Sequence, residues 1–109
     1  MANTFKLKTK ANVGVATGGI YTAPAATTTV VIGITMANTS GSGVNVGVGI
    51  TRAGTTEDVK LLKNAPIPQG SSLEFMAGNK IVLEATDTVT VDSDTNNSVD
   101  AALTIMEIT

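Results

Sequence analysis

Val44-Asn45-Val46-Gly47-Val48-Gly49-Ile50 places Val44, Val46, Val48 and Ile50 on one side of an extended chain and Asn45, Gly47 and Gly49 on the other. Successive side chains of a strand point to opposite faces of a sheet, so this stretch reads as a half-buried antiparallel strand. Its second face is small enough for close approach by another backbone. The pattern continues upstream. Residues 28–36 put Val30, Ile32, Ile34 and Met36 in phase and form the most apolar run, which predicts a central strand. Residues 38–43 hold only Asn, Thr, Ser and Gly, turn-forming types that predict a hairpin between these two strands.

The flanking chain reads the same way. Residues 5–10 alternate Phe5, Leu7 and Thr9 with Lys6, Lys8 and Lys10, an amphipathic strand whose lysine face is expected to point outward and blunt an edge. Residues 12–16 make a shorter segment, Gly18 and Gly19 predict a turn, and residues 20–23 extend as far as Pro24. Residues 59–63 predict a strand, favoured over a helical turn at residues 56–63, and Pro66, Pro68 and Gly70 predict an extended loop over residues 64–72. Further strands are expected at residues 73–76, 81–83 and 88–92, with turns at residues 77–79 and 93–97. In the last segment Val99, Ala101, Leu103, Ile105 and Glu107 share one face, with apolar residues on the other face too, which predicts a central or covered strand. About eight or nine strands separated by turn signals predict an all-β fold, a single-domain antiparallel β-sandwich or jelly roll over residues 1–109, with a small barrel as the other closed form.

The chemistry available on these strands is sparse. The 109 residues include no His, Cys or Trp. Disulfides, thiolate nucleophiles, Ser-His-Asp triads and imidazole metal sites are therefore excluded from this stretch, and no redox compartment can be read from it. Aromatic residues make up 3% of the chain against a hydrophobic fraction of 42%. Glycosidase clefts and sugar-binding faces lean on aromatic rings, and only Phe5, Tyr21 and Phe75 are present. No catalytic, cofactor-binding or metal-binding residue is assigned, and no cofactor is expected. Residues 92–96 spell D-x-D-x-N, the opening of a calcium loop, but Asn97 stands where Gly is needed and Leu103 where a bidentate Glu is needed. A looser calcium site on Asp92, Asp94 and Asn96 remains beside the reading as a solvated turn. Gly41 and Gly43 give only a fragment of a dinucleotide fingerprint. Two sequons, at residues 38–40 and 96–98, fall in turns and read as chance in an Asn- and Thr-rich chain.

Net charge is -2, with Lys6, Lys8 and Lys10 near the start and only acidic charges from Glu84 onward. This asymmetry is either head-to-tail complementarity between subunits or two solvated faces. An acidic chain without aromatics among its lysines is not expected to bind nucleic acid. No segment has the length or apolarity of a signal peptide or a membrane span, so no membrane partner is expected. A core short of aromatic area gains from burial against copies or a larger partner, which favours an assembled state.

The order of these signatures is itself suggestive. Met1 to Phe5 leads to Ile20-Tyr21-Thr22-Ala23-Pro24, then Val30-Val31-Ile32-Gly33, Ala37-Asn38-Thr39, the run from Ala65 to Leu73, and Lys80-Ile81-Val82-Leu83-Glu84. The chain resembles small virion structural proteins of tailed bacteriophages, those of marine and cyanobacterial phages especially. The resemblance implies a non-enzymatic β-sandwich subunit located in the virion and assembled in the host cytoplasm. Its implied role is capsid decoration as a cement protein, or a place at the neck, tail or fibre attachment. A sugar- or surface-binding module is the reading from another class. The implied partners are the major capsid protein or another virion protein, together with a homo-oligomer, trimer or dimer. Residues 5–10 and 66–72 are expected to contribute subunit contacts.

Overall fold

A computed structural model describes residues 3–53, 57–75 and 80–109. Within them lie β1 (Asn3–Val13), β2 (Gly18–Thr22), β3 (Thr28–Asn38), β4 (Val44–Arg52), β5 (Glu57–Ile67), β6 (Ser72–Phe75), β7 (Ile81–Leu83), β8 (Thr88–Ser93) and β9 (Val99–Ile108). No helix occurs among the described residues, so none there is long and apolar enough to cross a membrane. The first sheet runs β1-β9-β3-β6 with β7 also on β3, and the second runs β2-β8-β4-β5. β6 lies opposite residues 34–37 of β3 and β7 opposite residues 29–31, so the two share one lane in series. All pairings are antiparallel.

The pairings nest. β4 pairs with β5, β3 with β6 and β7, β2 with β8, and β1 with β9, as in one long hairpin. Rolling that hairpin adds the β4–β8 and β3–β9 contacts and makes two facing sheets. This is a jelly-roll sandwich, as the alternation predicts.

Between the sheets Val31, Ile34, Met36, Leu103 and Ile105 meet Val44, Val46, Val48, Val89 and Val91, all buried. A gap of about 10 Å³ lined by Val31, Ile34, Val48, Val89 and Leu103 is at the lower limit for one water and offers it no polar partner. β9 is central, and Val99, Ala101, Leu103, Ile105 and Glu107 all face inward and are buried, as expected.

Four expectations are corrected. The strands at residues 28–36 and 44–51 do not form a hairpin. β3 and β4 belong to opposite sheets, because both bury an apolar face in the same inter-sheet space and residues 39–43 cross between them. A bulge between Val31 and Gly33 reverses the phase of β3, so Thr29 and Val31, then Ile34 and Met36, point inward while Val30 points out. Gly18 and Gly19 are paired in β2, and the chain turns before them, after Asn12 with φ 57°. β5 continues through Pro66, which a sheet edge tolerates, with a local kink at Asn64 where φ is 56°. The residue 77–79 turn and Met76 lie outside the described residues.

Gly47 and Gly49 do meet another backbone, but it is β5 of the same chain. A Cβ on Gly49 would sit 2.9 Å from the Val59 carbonyl oxygen and 3.1 Å from Thr90 Oγ1. The crossing after β3 is held by Asn38, which is buried. Its Nδ2 donates to the Ser42 and Ile67 carbonyls at 2.8 and 2.9 Å, and its Oδ1 accepts from Ser40 N and Ser40 Oγ at 2.9 and 2.8 Å. Every hydrogen-bonding position of the amide is used, so the sequon at residues 38–40 is closed in the folded chain.

Asn38→Ala leaves the Ile67 carbonyl and Ser40 N–H unpaired where the sheets meet. It should lower stability by about 2–4 kcal/mol, read as a lower urea midpoint at unchanged slope. Gly49→Ala must push β5 away from β4, and about 1–3 kcal/mol should be lost in the same assay.

Candidate functional site

The two outer faces differ in chemistry. On the second sheet the outward positions are Thr22, Thr51, Thr88, Thr90 and Asp92, and four of them bond to one another or to β5. Thr22 Oγ1 and Thr88 Oγ1 are 2.9 Å apart, Thr51 Oγ1 donates to Asp58 Oδ1 at 2.9 Å, and Lys60 Nζ lies 3.7 Å from Asp92 Oδ2. This is a hydrated surface that satisfies itself.

The outer face of the first sheet is largely apolar, with Asp100 of β9 and Glu74 of β6, opposite Thr35, as its acidic groups. β1 sets Phe5 beside Met106 and Leu7 beside Thr104, and β3 sets Val30 between Met106 and Val82. Phe5 is 69% exposed, Leu7 64% and Val82 60%. Full burial of each such side chain is worth about 1.5–3 kcal/mol, so a cluster left in water on one face marks a contact surface. Further along the same face Thr9, Ala11, Thr35, Ala37 and Ala102 are small, and with Asp100 they line a shallow depression of about 350 Å³.

The orientation of β1 is the reverse of the expected one. Its lysines point inward and its apolar residues outward, because β1 has 11 residues against 5 in β2 and overhangs the open rim of the sandwich. Lys6, Lys8 and Lys10 lie across from the core residues Ile105, Leu103 and Ala101. At the rim their alkyl stems cover the opening while the ammonium groups find partners or water. Lys10 runs beside Gly18 of β2.

Lys6 makes the decisive contact. Its Nζ is 2.9 Å from Oε1 of the buried Glu107. Tyr21 OH donates to Glu107 Oε2 at 2.6 Å, and Thr29 Oγ1, 2.8 Å from the phenol oxygen, is left to donate to it. Hydrogen bonds from Lys6 and then Tyr21 hold the Glu107 carboxyl below its ordinary 4.5, against the opposing effect of burial. Burial first, then the bond to Glu107, pushes Tyr21 up to about 12, with the Thr29 bond acting the other way. The cluster joins β1, β2, β3 and β9 at one end of the sandwich. Sequence reasoning counted Glu107 on the inner face and assigned it no partner.

The residues considered for calcium serve as loop fastenings. Asp92 Oδ2 accepts from Thr17 Oγ1 at 3.0 Å, Asp94 Oδ1 from Asn45 N at 3.1 Å, and Asn96 Oδ1 from Val15 N at 3.1 Å. Among the described residues no group of three or more Asp or Glu is placed to hold a metal ion. Arg52 sits at the opposite edge, 3.0 Å from both Glu84 Oε1 and the buried Asp87 Oδ2, and ties β4 to the loop before β8.

No family model matches this chain, and no curated protein matches it in sequence. Solved structures do match. A chain of the Bacillus endospore appendages, described as a novel family of disulfide-linked pili, aligns with TM-score 0.57 at 15% identity over 99% of this chain and 87% of that one. A chain of the cyanophage Pam1 capsid asymmetric unit aligns with TM-score 0.53 at 17% identity over 95% of this chain and 84% of that one. The fold is one that capsid chains share. A chain of the T13 particle of infectious bursal disease virus aligns with TM-score 0.59 at 13% identity, covering 96% of this chain but 30% of its own length.

The polar cluster gives a pH signature at both ends. Glu107 is depressed, so its stabilisation is complete above 4.5 and is lost as pH falls through its lower folded value. Tyr21 is raised, so its stabilisation is complete below 10.0 and is lost as pH rises toward about 12. Tyr21 is the single tyrosine, and its absorbance titration should have a midpoint near 12 in the folded protein. Glu107→Gln should bring that midpoint down while leaving it above 10.0, because burial is the larger cause.

Proposed function

We infer that this chain is a non-enzymatic virion structural protein, acting as one domain over residues 1–109. Its most specific reading is a capsid decoration (cement) protein that binds and stabilises a lattice of major capsid protein. The observation that carries this reading is a jelly roll whose one outer face is hydrated and self-satisfied while the other displays Phe5, Leu7 and Val82 to solvent. A subunit whose chemistry lies in a face rather than a cleft acts by covering other subunits. The likeness in fold and length to the Pam1 capsid chain supports the same reading.

A place in a neck, tail or fibre is the second reading, supported by the near full-length likeness to the endospore appendage chain. With no cysteine in these 109 residues, a filament built from this chain would be held by non-covalent contacts.

The test is co-sedimentation with empty shells of the major capsid protein encoded nearest in the same genome. Saturable binding, with a rise of a few degrees in the melting temperature of the shell, is the expected result. Failure to bind those shells, with tail or fibre genes alongside, would move the protein to the second reading. Failure to bind any particle protein encoded nearby would sink both.

A further inference from the structure

Among the described residues the two sheets have four edges and two outer faces, and all but one face are blunted: β2, β6 and β7 are short edge strands of 5, 4 and 3 residues. The β1 edge carries Lys6, Lys8 and Lys10 on its inward side, a device that obstructs the addition of a further strand. The β5 edge is interrupted by Pro66 and by two register shifts against β4. The outer face of the second sheet is polar and internally bonded. What remains is the outer face of the first sheet, which has both a protrusion and a hollow. Phe5 and Leu7 project from it, and the depression lies further along, lined by Thr9 and Ala11 of the same strand with Ala102 of β9 and Ala37 of β3.

We propose that two copies of this chain dock through this face about a two-fold axis, each inserting Phe5 and Leu7 into the hollow of the other. The axis lies in the face and crosses β1 near Lys8. Half a turn about it brings Leu7 over the partner's Thr9 and Phe5 over the partner's Ala11, so one operation satisfies both protrusions. Asp100, at the hollow end, is carried to the far end of the partner instead of facing its own copy, while Glu74, one residue from the axis on the outermost lane, falls near its copy at the exposed rim of the contact. The size fits as well. Four lanes spaced about 4.8 Å apart and about 35 Å long present roughly 650 Å² of sheet. Two such faces, about 1,300 Å² together, fall just inside the lower end of the roughly 1,200–2,000 Å² buried in stable specific interfaces. The inference rests on the assembled-state part of the virion reading and does not need the capsid; it uses the face that the decoration reading gives to the shell, so the two contacts compete for one surface, and dimerisation and shell binding, read in separate assays, can each fail alone.

Sedimentation velocity of the full chain, up to millimolar concentration, should show twice the 11.0 kDa chain mass. Leu7→Asp and Thr9→Arg each alter an exposed β1 position and should each give monomers with an unchanged far-ultraviolet circular dichroism spectrum. Mixed in equal amounts they should recover the dimer, because the introduced carboxylate then lies over the introduced guanidinium while the other Leu7 keeps its native seat. A wild-type chain that stays monomeric throughout overturns the proposal, as do single variants that remain dimeric. Singles that dissociate but do not recover on mixing overturn the pairing of protrusion with hollow.

Discussion

The Lys6 ammonium against the buried Glu107 carboxylate decides which way β1 faces, and much of the outer surface follows from that contact. Strand side chains alternate, so drawing Lys6 under the rim forces Phe5 and Leu7 outward. A slip of one residue would put Phe5 where Lys6 is and leave Glu107 buried without its cation, an uncompensated charge at low dielectric. Tyr21 of β2 holds the second carboxylate oxygen and is itself held by Thr29 of β3, so the carboxylate that Lys6 meets is fixed from the neighbouring strands.

How much of this could be read from the residues depends on how local the cause is. The alternation of β4 and β9 survives intact, because both strands are central and each has one face in the core. The phase of β3 is lost at a single bulge, and no residue type announces a bulge in Val30-Val31-Ile32-Gly33. For β1, a lysine face is ordinarily a solvent face. It is here too, but the solvent lies at the rim of the sandwich and not above the sheet, a distinction set by the shortness of β2. The turn residues after β3 are legible as a turn but do not say whether the chain returns to the same sheet or crosses to the other. That choice follows from the apolar faces of β3 and β4 sharing one core, and Asn38 holds the crossing by reaching Ile67, 29 positions away.

The candidate face was legible only in part. Residues 5–10 stand out as a contact segment, whereas Val30, Val82 and Met106 join it through pairings that no local pattern contains. The polar residues that drew attention as ligands, Asp92, Asp94 and Asn96, turn out to close loops. Backbone N–H groups of Val15 and Asn45 and the hydroxyl of Thr17 each donate to one of their side-chain oxygens.

The placement of β9 between β1 and β3 also governs the order in which the molecule can be built. Among the described residues β1 pairs with no other strand, so its Phe5 and Leu7 emerge from the ribosome and wait until residue 108 has followed. At about 5–20 residues per second that wait is roughly 5–20 s, long compared with chain collapse. Throughout it the lysines interleaved with Phe5 and Leu7 keep the segment charged. The three side chains that later seal the rim of the sandwich thus first act as gatekeepers against aggregation of the nascent chain.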